Sequence, residues 1–189
     1  VRAAASAAAR EAALHPVTRL RVMVDLDAPA LGYKTFALRP REPHYVEHPK
    51  PRWPRGLIAG PNGTLENEFL KVQIKPNGTF DMTHKETGVV YTDQHMLVDN
   101  GALGNAHIYQ PPLRDFAVTS LAASANVVME ESNPLRGVYR IDVTLSIPGE
   151  ATSDCKDRVK KRVDLPVSTW LTLRKGSKRL ELRTRLKNE

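Results

Sequence analysis

The side chains best suited to chemistry in this 189-residue chain gather around one polar, glycine-containing stretch that runs from Asp99 to Tyr109. Asp93, Asp99 and Asp115 stand in or beside it. Two carboxylates converging on one substrate are what cleavage of a glycosidic bond requires. Each of the three also sits among turn-forming residues, where a carboxylate accepts backbone hydrogen bonds, so the spacing gives none of them a catalytic role. His44 and His48 are four apart, but Pro43 and Pro49 flank them and break the helix that would align two metal ligands. His84 and His95 are separated by a turn and a strand, and no metal site is expected. The chain has no glycine-rich phosphate loop and no nucleophile elbow between a strand and a helix. Trp53 and Trp170 have rings that could stack on a sugar face, Trp53 between prolines and Trp170 within a strand.

The elements that would position the 99–109 stretch read as a β-meander. A strand over 69–74 turns at Lys75-Pro76-Asn77-Gly78, where Asn-Gly tolerates positive φ, and returns over 79–82. A second turn at Lys85-Glu86-Thr87-Gly88 leads into a strand over 89–91. The chain then enters the long loop, from Asp99 to Asn105, before His107-Ile108-Tyr109.

The ordered motifs of this region are Leu65-Glu66-Asn67-Glu68-Phe69-Leu70-Lys71-Val72, then Asn77-Gly78-Thr79-Phe80 and Lys85-Glu86-Thr87-Gly88. Asp99-Asn100-Gly101 and Gly104-Asn105-Ala106-His107-Ile108-Tyr109-Gln110-Pro111-Pro112 follow. With Pro29-Ala30-Leu31-Gly32-Tyr33 upstream, they resemble the start of the large C-terminal β-domain of glycoside hydrolase family 38, the α-mannosidases. The resemblance implies a very large two-layer β-sandwich of the galactose-mutarotase-like supersandwich kind. It implies that the family's nucleophile, general acid and zinc or similar divalent ion belong to a catalytic domain preceding Val1, with no catalytic residue and no cofactor in this chain. It also implies that the loop reaches toward the sugar cleft, with Asp99, Asn105, His107 and Tyr109 as substrate-binding candidates. The family's aromatic residue near the end of this loop corresponds to His107, and Gly104-Asn105 replaces a glycine-acid pair. The partners implied are a mannoside, bound through the parent enzyme, and that enzyme's own catalytic domain. An autonomous carbohydrate-binding sandwich is the competing reading.

Composition sets outer limits. Hydrophobic residues make up 41% and charged residues 26%, the range of ordinary globular chains, and no apolar run is long enough to span a bilayer, so no membrane partner is expected. The net charge of +7 raises nucleic acid as a partner. Much of the basic charge alternates with apolar residues along strands, as over 179–187, which reads as a solvated sheet face, and no nucleic-acid partner is expected. The single cysteine, Cys155, cannot form an internal disulfide, which favours a reducing compartment such as the cytoplasm. Asn62-Gly63-Thr64 and Asn77-Gly78-Thr79 match the N-glycosylation acceptor pattern and also read as turns.

Alanine-rich residues 1–14 favour a helix on propensity, alternation predicts a strand over 19–26, and a second strand is expected over 32–38. Six prolines between Arg39 and Pro61 read as an extended linker. The organisation expected is a small β segment with an N-terminal helix over 1–38, a linker over 39–61, and the first part of a large sandwich over 62–189. Strands are expected over 116–121, 125–130, 138–147, 167–173 and 180–186, an all-β pattern. Leu180, Leu182 and Leu186 alternate with Arg179, Glu181, Arg183, Arg185 and Lys187, so that strand has one apolar face. The resemblance implies further strands beyond Glu189, so the sandwich is expected to be truncated, with an uncovered edge and association into a homodimer.

Overall fold

The computed structural model describes residues 24, 26, 29–37, 56–104 and 107–187. The helix expected over 1–14 and nearly all of the strand expected over 19–26 lie outside these residues, as does Trp53. The chain divides between Pro43 and His44 into two units. In the first, residues 32–37 form no strand, and Leu31 and Tyr33 stand exposed. An extended segment becomes a strand only where a partner supplies the other half of the ladder, and this one has none among the described residues.

The second unit is a β-sandwich. One sheet is a five-stranded antiparallel meander in the order β1 (Ala59–Gly60), β2 (Thr64–Glu66), β3 (Leu70–Ile74), β4 (Phe80–His84), β5 (Val90–Gln94). The strand β1 falls at the end of the stretch read as linker. Two short strands, β6 (Val98–Asp99) and β7 (Val118–Thr119), pair with each other and are followed by a single 3-10 turn, Ser120–Ala122. The second main sheet has the order β11 (Leu180–Leu186), β10 (Arg162–Arg174), β9 (Arg136–Pro148), β8 (Ala125–Ser132).

The core lies between the two main sheets. Leu65, Leu70, Val72, Ile74 and Phe80 come from the meander, and Tyr139, Ile141, Val143, Leu145, Leu171 and Leu173 come from the other sheet. On β9 the odd-numbered positions point inward, the face that alternation selects, because a side-chain period of two sends alternate residues to one side. The strand β10 is longer than its pattern suggests. Its first residues, including Pro166 opposite Thr144, pair with β9 alone, since β11 begins its pairing at Val167. Proline is tolerated there because that stretch is an edge.

Polar groups fasten the two sheets. Asn67 is buried, and its Oδ1 accepts from the Phe69 and Leu70 amides at 2.9 and 2.8 Å. Its Nδ2 donates to the Arg174 and Ser177 carbonyls, both at 2.7 Å, so one side chain ties the β2–β3 turn to the β10–β11 turn. His95 does the same further along. Its Nδ1 lies 3.2 Å from the Gly78 carbonyl, which can only accept, so in the neutral ring Nδ1 carries the proton. Nε2 then accepts from the Thr169 hydroxyl at 2.9 Å, and Thr169 accepts from Thr184 at 2.9 Å.

The hairpin turn between β3 and β4 differs in detail from the sequence expectation. Gly78 alone is left-handed (φ 84°), while Asn77 is not. Lys75 N–H bonds to the Thr79 carbonyl at 2.8 Å and Gly78 N–H to the Lys75 carbonyl at 3.0 Å. This is a three-residue loop with Pro76 leading and a left-handed glycine closing it. The Asn77 side chain accepts from the Thr79 amide and hydroxyl at 3.1 and 2.8 Å, fixing the turn.

The β8–β9 turn carries a pH-sensitive pair. Glu131 accepts from Arg136 Nε and Nη2 and from Asn133 Nδ2, and the Arg136 hydrogen bonds hold its carboxyl below the usual 4.5. A depressed folded-state value means that the pair's stabilisation is present above pH 4.5 and is lost as pH falls through the lowered value. Glu131→Gln is therefore expected to lower stability at neutral pH by up to about 1 kcal/mol and to converge on the parent protein as pH falls, flattening the acid limb, as read by thermal melts between about pH 6 and 3.

Candidate functional site

The pairing of β6 with β7 closes the base of a loop that holds residues 100–117. Within it, the Leu103 amide bonds to the Gln110 carbonyl at 2.7 Å, so the loop folds back on itself as an arm. His107, Ile108 and Tyr109 are exposed at its far end, Tyr109 with 63% of its surface open. Asn105 lies outside the described residues.

A charge cluster built on a buried arginine anchors this arm. The β9–β10 connection folds its tip back through a bond from the Thr152 amide to the Asp157 carbonyl at 2.9 Å and one from Val159 to Glu150 at 3.0 Å. That tip places Arg158 beneath the loop, with only 8% of the residue exposed. Arg158 Nη2 forms an ion pair with Asp99, and Nη1 faces Asp115 Oδ1 at 3.8 Å and the Phe116 carbonyl at 3.4 Å. Asp115 Oδ2 accepts from the Gly101 amide at 3.0 Å. Asp115 Oδ1 is buried with no hydrogen bond, close enough to the guanidinium for charge attraction only. The Arg114 amide bonds to the Lys156 carbonyl at 2.8 Å, adding a backbone tie between loop and connection.

The sequence-derived carboxylates therefore separate. Asp99 and Asp115 converge on one guanidinium at the base of the loop, where two negative charges and one positive charge clamp its ends together. Asp93 is elsewhere, on β5, bonded to Lys75 at 2.8 Å. Arg158 escaped the sequence reading because it lies in a charged connection without periodicity, 59 residues from Asp99. The local sign available was a basic residue in a turn opposite a loop rich in Asp. Among the described residues no group of three or more His, Cys, Asp or Glu is placed to hold a metal ion, so zinc finds no fitting donor set there. No helix among them is long and apolar enough to cross a membrane.

No protein-family model matches the chain. It is 31% identical over 173 residues to a Halalkalibacterium halodurans protein provisionally named mannosylglycerate hydrolase, covering 84% of this chain and 19% of that protein. It also superimposes with a TM-score of 0.66 and 25% identity on an α-mannosidase from Enterococcus faecalis V583, covering 70% of this chain and 17% of that one. The chain is similar to a segment of glycoside hydrolase family 38 proteins. A second Enterococcus faecalis structure, described as a protein of that family, gives the same TM-score and identity over 18% of its length. The chain thus spans about a fifth of the length of these proteins. What the likeness covers is a β-sandwich segment within a much longer glycosidase-type chain.

Proposed function

We propose that this chain serves as the non-catalytic β-domain of an α-mannosidase-like glycoside hydrolase, buttressing the catalytic domain and lending the 99–110 loop to the sugar cleft. The observation that supports it most is the match of a sandwich segment to about a fifth of each family 38 relative, with the arm tied down at its base and His107 and Tyr109 exposed at its end. The clamped base gives the arm a fixed direction, and an exposed tyrosine offers a sugar an apolar face with a hydroxyl at its rim. The acid, nucleophile and any metal would come from the catalytic domain.

Two assays test this. The 189-residue chain alone is expected to give no turnover of an aryl α-mannoside. In a polypeptide that carries this domain beside its catalytic domain, Tyr109→Ala is expected to raise KM about tenfold with kcat less affected, the mark of lost ground-state binding. Turnover by the chain alone, or an unchanged KM, would refute the reading.

One feature favours the alternative of an autonomous carbohydrate-binding sandwich. On the outer face of the four-stranded sheet, Trp170 borders a hollow of about 460 Å³ with Arg183, Arg185 and Thr172. Its indole N–H donates to Glu130 at 3.0 Å, and Arg185 stacks at 5.6 Å from the ring centre. Saturable quenching of tryptophan fluorescence by mannose oligosaccharides, abolished in Trp170→Ala, would support that reading.

A further inference from the structure

The tetrapeptide Pro-Asn-Gly-Thr occurs twice, at Pro61–Thr64 and at Pro76–Thr79, and each copy makes the turn of a hairpin, β1–β2 in the first case and β3–β4 in the second. Their local sequences are identical, so any difference in their chemistry comes from the fold. The chemistry at issue is intrinsic to Asn-Gly: a glycine carries no Cβ, which leaves its amide nitrogen open to attack the side-chain carbonyl of the asparagine before it.

In the second copy both reacting groups are held. Asn77 Oδ1 accepts from the Thr79 amide and hydroxyl at 3.1 and 2.8 Å, Nδ2 donates to the Leu121 carbonyl at 3.2 Å, and the Gly78 N–H donates to the Lys75 carbonyl at 3.0 Å. Thr79 is fully buried, which closes that side of the cradle. In the first copy neither group is held. Asn62 is exposed and left-handed at φ 58°, and among the described residues neither its side chain nor the Gly63 N–H makes a hydrogen bond. The ties there fall on the carbonyls instead, from Gln73 Nε2 to Asn62 at 2.7 Å and from the Ile74 amide to Gly63 at 2.9 Å. Thr64, whose counterpart restrains Asn77, donates its hydroxyl to Gln73 Oε1 at 3.1 Å.

We propose that Asn62 is a site of spontaneous covalent modification, converting through a cyclic imide to aspartate and isoaspartate, and that the fold protects Asn77 from the same reaction. The Gly63 nitrogen bonds to Asn62 Cγ, the Cγ–Nδ2 bond breaks, and ammonia leaves with the proton that Gly63 gives up. Water then opens the imide. Its attack at Cγ yields aspartate, and its attack at the former main-chain carbonyl yields isoaspartate, with water the only co-reactant. Either product puts a carboxylate where a neutral amide stood. Isoaspartate also lengthens the main chain by one carbon inside the turn, next to the Gly60 carbonyl that accepts from the Tyr139 hydroxyl of the opposite sheet. None of this depends on the glycosidase reading.

In the native 189-residue chain held at mildly alkaline pH, Asn62 is expected to convert at least about tenfold faster than Asn77, a barrier difference of about 1.4 kcal/mol. The two sites fall in separate tryptic peptides, 56–71 and 72–85, so mass spectrometry follows each independently, and chromatography resolves the aspartate product from isoaspartate. In denaturing guanidinium the identical tetrapeptides are expected to react at rates within about twofold of each other, which assigns the native contrast to the folded hydrogen bonds. Equal native rates, faster conversion at Asn77, or an Asn62 that stays intact in the native chain for as long as the denatured chain takes to convert overturns the proposal.

Discussion

Arg158→Met is expected to lower the unfolding free energy by about 2–4 kcal/mol, the cost of leaving two partly buried carboxylates without their counter-charge. The guanidinium is nearly sealed from solvent and Asp115 Oδ1 has no hydrogen bond of its own, so little water stands ready to replace what Arg158 supplies. Methionine keeps the apolar stem that fills the space beside Gly101 and Pro112, which confines the loss to the charge. Neutralising the acids should reverse much of it. Arg158→Met combined with Asp99→Asn and Asp115→Asn is expected to recover at least half, since a neutral cluster of similar volume avoids the burial of unpaired charge. Urea denaturation of the variants measures both steps. A loss below about 1 kcal/mol for Arg158→Met would mean that solvent reaches the cluster and that the arm is held by its backbone bonds instead.

Local features were legible in the sequence, and contacts between distant segments were not. Alternation along β9 picks out Tyr139, Ile141, Val143 and Leu145, and all four are buried. The meander from β3 to β5 was readable because both of its connections are short turns marked by glycine, Gly78 and Gly88, whereas the β2–β3 turn, Asn67-Glu68-Phe69, has none. Alternation says which residues share a face and nothing about whether another layer covers it, which is why Leu180, Leu182 and Leu186 sit on the core side of β11 with two of them open to solvent. The pairing of β6 with β7 was hidden because each strand has two residues and lies on opposite sides of a long loop. The same limit governs the candidate site. Asp99 and Asp115 stand out as carboxylates near a polar loop, but their convergence depends on Arg158 arriving from another hairpin. Asn67 belonged to a motif that marked the segment, and its two hydrogen bonds across the sandwich, with two more that fix its own turn, give that position a physical reason.

Gly78→Ala is expected to cost about 2–5 kcal/mol, from two separable sources. The backbone there is left-handed at φ 84°, a conformation that penalises any Cβ by about 1–2 kcal/mol. The added methyl would also lie 2.7 Å from Val143 Cγ2, 3.0 Å from Ile141 Cγ2 and 3.1 Å from Ala125 Cβ. Those groups belong to β8 and β9, and the β9 pair are short branched side chains of the buried core, so overpacking adds about 1–3 kcal/mol. Gly88 supplies the control, because its φ is 71° and a Cβ there would meet nothing within 4 Å. Gly88→Ala should therefore show the backbone cost alone. The difference between the two variants in thermal or urea unfolding isolates the contact between the β3–β4 turn and the opposite sheet. If Gly78→Ala and Gly88→Ala destabilise equally, the turn does not press on β9, and the sandwich is looser at that end than its side-chain distances require.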